Sequence, residues 1–270
     1  MKLKIATWNI NSVRLRIGLV TELLERWQPD ILCLQETKCP QGQFPATPIK
    51  SLGYSHIAES GQKGYHGVAI VSRLPLHTQE MKNFCGKDDC RHISVVLEGR
   101  KPVTIHNLYV PSGGDEPDAK INVKFAHKLQ FLDELETRFA DGCVPRGHHG
   151  VVVGYLNIAP LEHDVWSHKE LLKVVSHTPV ETQGLIRVQK AGRWVDLMRK
   201  HVPEPEKLYT WWSYRAKDWA ASNRGRRLDH IWSTPGLAPT CDRVDILCEA
   251  RGWKQPSDHV PVMATFELKV

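Results

Sequence analysis

Six segments of this chain place polar side chains where apolar runs end. Lys4-Ile5-Ala6 is followed by Thr7-Trp8-Asn9-Ile10-Asn11, and two-residue alternation sets Thr7, Asn9 and Asn11 on one face. Ile31-Leu32-Cys33-Leu34 runs into Gln35-Glu36-Thr37-Lys38, which leaves a carboxylate at the exit. Val103–Val110 closes with Asn107 and Tyr109 in phase, and Val151-Val152-Val153 runs into Gly154-Tyr155-Leu156-Asn157. Near the C-terminus stand Arg227-Leu228-Asp229-His230 and Pro256-Ser257-Asp258-His259. Singly, each has an ordinary structural reading: a carboxylate after a strand is usually solvated, Asn forms turns, and a lone His is more often structure than catalyst. Together they offer Asn, Glu, Tyr, Asp and His, an inventory suited to hydrolysis assisted by a hard cation. Mg²⁺ takes oxygen ligands from one or two carboxylates and keeps several waters. Phosphodiester cleavage further needs a nucleophile activator and donors around the phosphate. Spacing alone does not show that the six ends converge.

Convergence would have to come from the elements behind them. Strand-like runs recur at Leu3–Trp8, Ile31–Gln35, Tyr54–Ala58, Val68–Ser72, His92–Leu97, Val103–Val110, Val151–Gly154, Tyr209–Tyr214, Leu228–Ser233, Val244–Cys248 and Val262–Leu268. Val68-Ala69-Ile70-Val71 and Val151-Val152-Val153 are apolar at every residue, as strands covered on both faces are. Apolar spacings of three and four predict helices over Val13–Trp27 and Ile121–Phe139, with further helices at Val165–Val175 and around Glu181–Gln189. Many neighbouring strands are joined by links too short for a crossover helix. Mixed or antiparallel sheets with helices outside are therefore expected. Asp115–Asp118 and Asp141–His149 read as exposed loops, and no linker or repeat divides residues 1–270, so one domain is expected.

Composition narrows the class. Of 270 residues 41% are apolar and 24% charged, which excludes a disordered, collagenous or small disulfide-stapled chain. No apolar run approaches the ~20 residues of a membrane span, and Met1–Ala6 passes at once into Trp8-Asn9, without the apolar stretch of a signal peptide. The seven cysteines are odd in number and show no C-x-x-C spacing; Cys85 and Cys90 are the closest pair. They read as plain thiols in a reducing, cytoplasmic setting. Net charge is +6, and Tyr214–Arg227 carries Arg215, Lys217, Arg224, Arg226 and Arg227 against Asp218 alone, with Trp211, Trp212 and Trp219 beside or within it. Basic side chains interleaved with aromatics suit nucleic acid. A solvated loop with its tryptophans tucked inward fits that composition equally well.

Seven segments in order turn this inventory into a resemblance: Thr7–Arg14, Leu34–Lys38, Gly67–Ile70, Asn107–Pro111, Leu156–Pro160, Arg227–Asp229 and Ser257–His259. Nearly end to end, the chain resembles the exonuclease III family of AP endonucleases, within the endonuclease–exonuclease–phosphatase superfamily. The resemblance implies an α/β (α+β) fold of DNase I type, a four-layer sandwich of two packed mixed β-sheets flanked by helices, with the active site at one end of the sheets. It implies Glu36 as the main Mg²⁺ ligand (Mn²⁺ being an alternative), with Asn9, Asp258, Asn157 and His259 as further donors around the metal. Tyr109 would approach the scissile phosphate, Asn157 would bond the nucleophile or phosphate, and His259 would contact the phosphate with Asp229 fixing its tautomer. Trp211, Trp212 and Leu228 match the region that receives a flipped-out abasic sugar, with Arg215, Arg224, Arg226 and Arg227 on the DNA. Arg226 stands where relatives tend to carry an apolar side chain. The implied partner is double-stranded DNA with abasic sites or 3′ ends, bound by a monomer without a membrane.

A weightier departure lies before Leu156-Asn157, where the family pattern places Gly-Asp; here Gly154-Tyr155 stands instead. The absent Asp is the residue credited with activating the attacking water. A phenol titrates near pH ~10 and is neutral at pH 7, so it is a poor substitute. Three readings follow: an inactivating change on an otherwise intact enzyme, which the retention of every other site position favours; a non-cleaving binder of abasic or distorted duplex; or a Tyr155 working in another protonation state. A superfamily cousin acting on inositol phosphates or sphingomyelin is disfavoured by the basic, aromatic segment and by Leu156–Pro160.

Overall fold

The computed structural model describes residues 2–77 and 79–268. The chain opens with β1 (Lys2–Asn9), α1 (Ile17–Trp27), β2 (Ile31–Gln35), α2 (Ala46–Lys50), β3 (His56–Ser60) and β4 (Val68–Ser72). β5 (Gln79–Glu80), β6 (His92–Leu97), β7 (Val103–Tyr109), α3 (Val123–Ala140) and β8 (His149–Tyr155) follow. Then come α4 (His168–Leu171), α5 (Pro179–Ala191), β9 (Val195–Asp196), α6 (Leu197–His201), β10 (Trp211–Trp212) and α7 (Trp219–Ser222). β11 (Gly225–Arg226), β12 (Asp229–Ser233), β13 (Cys241–Ile246) and β14 (Val262–Glu267) complete the order. Two six-stranded sheets result, ordered β13-β14-β1-β2-β4-β3 and β5-β6-β7-β8-β12-β9, together with a β10-β11 ribbon. β1 pairs parallel with β2 and β7 with β8, while their other neighbours run antiparallel.

Strand alternation makes the layers. Leu3 and Ile5 of β1, Ile105 of β7, and Val151 and Val153 of β8 face a common core between the sheets. Ala6 and Trp8 of β1 and Leu32 and Leu34 of β2 face outward, onto Val20, Leu23 and Leu24 of α1 and Ile49 of α2. On the other side Leu108 and Val152 meet Phe131, Leu132 and Leu135 of α3 and Leu185 and Val188 of α5. These faces give the helix–sheet–sheet–helix sandwich. Burial of such side chains stabilises by roughly 1.5–3 kcal/mol each, so the sandwich is set by which parity along each strand is apolar. Helix ends are fixed locally: Asn122 accepts from the Lys124 N–H at 3.0 Å, and Thr178 and Glu181 form a capping box at α5, with Pro179 in its first turn.

A polar tie crosses the apolar interior. Gln35 Nε2 donates to Thr7 Oγ1 at 2.9 Å and to Asn107 Oδ1 at 2.7 Å, and Asn107 Nδ2 donates to the carbonyls of Leu34 and Ala69 at 3.0 Å. Gln35 and Asn107 thus join the two sheets, with Thr7 bonded to Gln35 inside the first. Several sequence expectations shift. The helix expected over Val165–Val175 reduces to α4, because Val165 is engaged in a bridge with Arg226 and Ser176 takes a φ of 86° that turns the chain back. The strand expected at Tyr209–Tyr214 pairs only at Trp211 and Trp212, and the first helix begins at Ile17. Asn11 and Ser12 take left-handed φ of 48° and 87°, and Val13 to Arg16 after them form a turn ahead of the helix.

Candidate active site

Register brings the polar ends to one edge of the sandwich. Asn9 pairs with Gln35 across β1 and β2, Tyr109 with Tyr155 across β7 and β8, and Tyr155 with Asp229 across β8 and β12. Asp258 and His259 lie just before β14, whose Val262 pairs with Thr7. The exits are sharply turned: Asn11, Glu36, Lys38 and Asn157 all adopt left-handed φ, from 48° to 58°. Gly154 is required where it stands. Its φ is 139°, and a Cβ there would lie 2.0 Å from the Leu108 carbonyl oxygen.

Six side chains close a ring of polar contacts. Asn9 Nδ2 donates to Glu36 Oε1 at 3.0 Å and lies 3.3 Å from His259 Nε2. Lys38 Nζ stands 3.0 Å from Glu36 Oε2 and donates to Asn11 Oδ1 at 2.6 Å. Asn11 Nδ2 donates to Asp258 Oδ1 at 3.1 Å, and Asp258 is covalently next to His259. Outside the ring, Asp229 Oδ2 accepts from His259 Nδ1 at 2.7 Å and from Thr210 Oγ1 at 2.6 Å. Trp211 Nε1 donates to Asp258 Oδ2 at 2.9 Å, and Trp8 Nε1 to the His259 carbonyl at 3.0 Å. Burial opposes the His259 cation, but Asp229, Asp258 and Glu36 outweigh it and raise this imidazole above its ordinary value. Burial likewise opposes the Asp258 carboxylate, yet His259 and the Trp211 and Asn11 hydrogen bonds hold it below the usual range.

Two phenols complete the floor. Tyr109 and Tyr155 stack with ring centres 5.4 Å apart at 15°, and the Tyr155 ring meets His259 edge-on at 4.5 Å. The Arg91 guanidinium lies 4.6 Å from the Tyr109 ring centre and is itself paired with Asp89. Burial first, and then the Glu36 charge, push both phenols well above their ordinary value, so Tyr155 is a neutral ring packed against the imidazole. Asn157 stays outside the polar ring: its Nδ2 donates to the Val110 carbonyl at 3.3 Å.

The basic, aromatic segment flanks this edge, and its members divide. Trp211 bridges to His259 on one side and pairs with Arg226 on the other. Trp212 and Leu228 turn inward, and Trp212 Nε1 is taken up by Asn223 at 3.0 Å. Arg215 is exposed, as is Arg224, whose guanidinium lies 4.5 Å from the Trp166 ring centre. Arg227 is a correction. Expected on DNA, it is fully buried and ion-paired with Asp164 at 2.8 Å and Asp196 at 2.5 Å, so it cannot reach a phosphate.

Residues 6–259 match the model of the endonuclease/exonuclease/phosphatase family. The chain belongs to that family. Within it, the chain is 28% identical over 274 residues to the exodeoxyribonuclease III of Haemophilus influenzae, covering 98% of this chain and all of that one. An AP endonuclease from Archaeoglobus fulgidus superposes with a TM-score of 0.90 at 33% identity, over 98% of this chain and 100% of the other. A Neisseria 3′ phosphatase, solved bound to a product DNA hairpin, gives 0.89 at 33% identity, with the same 98% and 100% coverage. This family member therefore carries the sandwich its motifs implied. Sequence reasoning gave Asn11, Lys38 and Arg91 no role in the site. Asn11 was in phase with Asn9 and Lys38 two residues beyond Glu36, which is a usable signal; Arg91 had none, since only the β6–β7 pairing brings it onto Tyr109.

Proposed function

We propose that this chain is a metal-dependent DNA-repair phosphodiesterase of the exonuclease III type, hydrolysing the bond 5′ to an abasic site and trimming 3′ ends of duplex DNA. The carrying observation is the closed ring of Asn9, Glu36, Lys38, Asn11, Asp258 and His259 at the shared edge of both sheets. Trp211 bonds Asp258 at that edge, and the exposed Arg215 and Arg224 of the same segment are read as phosphate contacts. The relatives' names, exodeoxyribonuclease III, AP endonuclease and 3′ phosphatase, support both reaction types. In this reading residues 1–270 act as one domain and as a monomer.

The donor set fits a hard divalent cation. Among the described residues no three His, Cys, Asp or Glu side chains cluster closely enough to cage an ion. Mg²⁺ needs no such cage: it takes one or two carboxylates and fills its octahedron with water and substrate phosphate, and Mn²⁺ accepts the same oxygen donors. Glu36, aided by Asn9 and by Asp258, would hold it, and once bound it would neutralise charge on the phosphate. The protein's own groups do the rest. His259 donates to a phosphate oxygen, with Asp229 holding Nδ1 and favouring the charged ring. Tyr109 presents its phenol to the phosphate, and Asn157 orients the nucleophile.

Tyr155 limits the reaction. It supplies no base at neutral pH, and its ring fills space between Tyr109 and His259. Loss of a positioned general base costs roughly 10²–10⁴ in rate, so this chain is read as slow. That ring is also what favours the second reading, a protein that binds abasic duplex without cutting it. Incubation with abasic and undamaged duplex in Mg²⁺ tests both. Slow incision confined to the abasic strand supports the nuclease, binding without product supports the second reading, and neither binding nor product removes both.

A further inference from the structure

A buried cation ties together the loops that leave β7 and β8. Lys128 of α3 and Glu181 of α5 are both fully buried and pair at 2.5 Å. The ammonium also donates to two main-chain acceptors, the Asn157 carbonyl at 2.9 Å and the Ser112 carbonyl at 3.3 Å. Three donors thus meet three acceptors, with none left over. Glu181 in turn accepts from the Ser176 and Thr178 N–H groups at 2.9 and 3.2 Å and from Thr178 Oγ1 at 2.6 Å. The lysine stem is held as closely: Gly113 has a φ of 86°, and a Cβ there would stand 2.9 Å from Lys128 Cδ. Phe125 and Leu132, three residues before and four after, are also buried, so Lys128 sits on the core face of α3, where an apolar side chain is expected.

These contacts converge on one residue of the site. Asn157, two residues past Tyr155, has a left-handed φ of 58°. A residue other than glycine keeps that conformation where its surroundings over-determine it. The Asn157 N–H donates to the Leu228 carbonyl at 3.1 Å, its Nδ2 to the Val110 carbonyl at 3.3 Å, and its own carbonyl accepts from Lys128. Of its four polar atoms only Oδ1 makes no hydrogen bond among the described residues. The Val110–Ser112 stretch leaves β7 directly after Tyr109, and the Val110 N–H donates to the Tyr155 carbonyl at 2.9 Å. Two apolar side chains of matched volume would be about as stabilising as a buried ion pair. They could not donate to two carbonyls at once. Resting on the proposed DNA phosphodiesterase function, in which Asn157 orients the nucleophile, we infer that Lys128 is a positioning residue whose ammonium holds the Asn157 backbone, and with it the side chain, in the geometry the reaction uses.

Lys128→Met keeps an unbranched side chain of similar length and removes the donors. In single-turnover cleavage of abasic duplex in Mg²⁺, its rate constant should fall roughly ten- to a hundredfold below the parent's. Affinity for the same duplex, by anisotropy in Ca²⁺, should stay within about twofold. A substitution that only unsettles the fold would lower the amplitude of cleavage and spare the rate constant of the folded molecules. Position is read directly in the protein labelled with ¹⁵N-asparagine. The Asn157 side-chain amide signals, identified by their loss in Asn157→Asp, should move in Lys128→Met, while those of Asn223, bonded to Trp212, stay in place. An unchanged rate constant, or Asn157 signals that do not move, would overturn the role of Lys128. A parent that leaves abasic duplex uncut would remove the phosphodiesterase reading, and the Asn157 signals would then decide whether Lys128 holds that residue. Should Lys128→Met fail to fold, Lys128→Met with Glu181→Gln takes its place under the same expectations, since it leaves no unpaired buried charge and keeps a capping-box side chain at 181.

Discussion

Tyr155 is the last residue of β8, with its ring against His259 and its backbone paired to both Tyr109 and Asp229. Position 155 thus faces the site whatever residue fills it, and the Gly154 backbone, pressed on the Leu108 carbonyl, leaves the strand no freedom to turn it away. Tyr155→Asp should place a carboxylate beside His259 and raise single-turnover cleavage of abasic duplex by roughly 10²–10⁴. Affinity for the same duplex, measured in Ca²⁺, should be nearly unchanged, because remote DNA contacts and the chemical step separate under mutation. Equal cleavage by both proteins would show that the nucleophile is activated elsewhere. Glu36 can be tested without turnover. Its two oxygens face Asn9 and Lys38, and Trp211 reports from the far side of the ring through Asp258. Titration with Mg²⁺ should change tryptophan fluorescence in the parent, and Glu36→Ala should abolish the response; an unaltered binding curve would remove Glu36 from the metal site.

The β10–β11 ribbon shows how far pattern reading carries. Long strands and the helices α1 and α3 were legible because each buries one regular face, and the strand-end motifs fell on the same edge because pairing is parallel within β1–β2 and within β7–β8. Two-residue strands have no period to detect, so β5, β9 and β11 left no signal. Composition also could not separate Arg226 from Arg227. Adjacent residues point to opposite sides of a strand, and here one lies on the rim while the other enters an interior that Asp164 and Asp196 make acidic. Burial works against the Asp164 carboxylate, but Arg227 and Arg199 hold it below its ordinary range. Removal of one partner from such a buried network costs roughly 3–5 kcal/mol. Arg227→Leu should therefore lower the urea midpoint while leaving the salt dependence of DNA binding unaltered. Arg215→Ala with Arg224→Ala should do the reverse, making the slope of log K against log salt shallower by about two units if both reach phosphates. A slope that fails to move would mean the exposed loop is merely solvated.

Across the molecule, the second sheet holds a set of neutral histidines that no sequence pattern marked as a group. His106 on β7 stacks on His92 of β6 at 5.3 Å and lies 3.2 Å from the Cys143 carbonyl; His230 on β12 lies 2.9 Å from the Ile158 carbonyl. All three are buried, and their alternation on neighbouring strands turns them toward the α3–α5 layer, away from the catalytic edge. Burial, together with His106 for His92 and Arg227 for His230, disfavours the charged form; His106 and His230 are each lowered to about 4 and His92 falls well below its ordinary value. The sign follows from proton counting. Between their unfolded value near 6.5 and about 4, the unfolded chain binds protons that the folded chain does not, so stability falls as pH falls through that window. Each fully excluded proton costs roughly 1.4 kcal/mol per pH unit. Urea midpoints taken at pH 7.5, 6 and 5 should therefore decline steeply, well above the range in which Asp164 titrates. His106→Gln, which keeps a polar side chain near the Cys143 carbonyl but cannot take up a proton, should lose less stability over the same interval, by roughly that amount per unit. A pH dependence identical to the parent's would show that His106 is protonated or solvated in the folded protein, and that the acid sensitivity belongs to other groups.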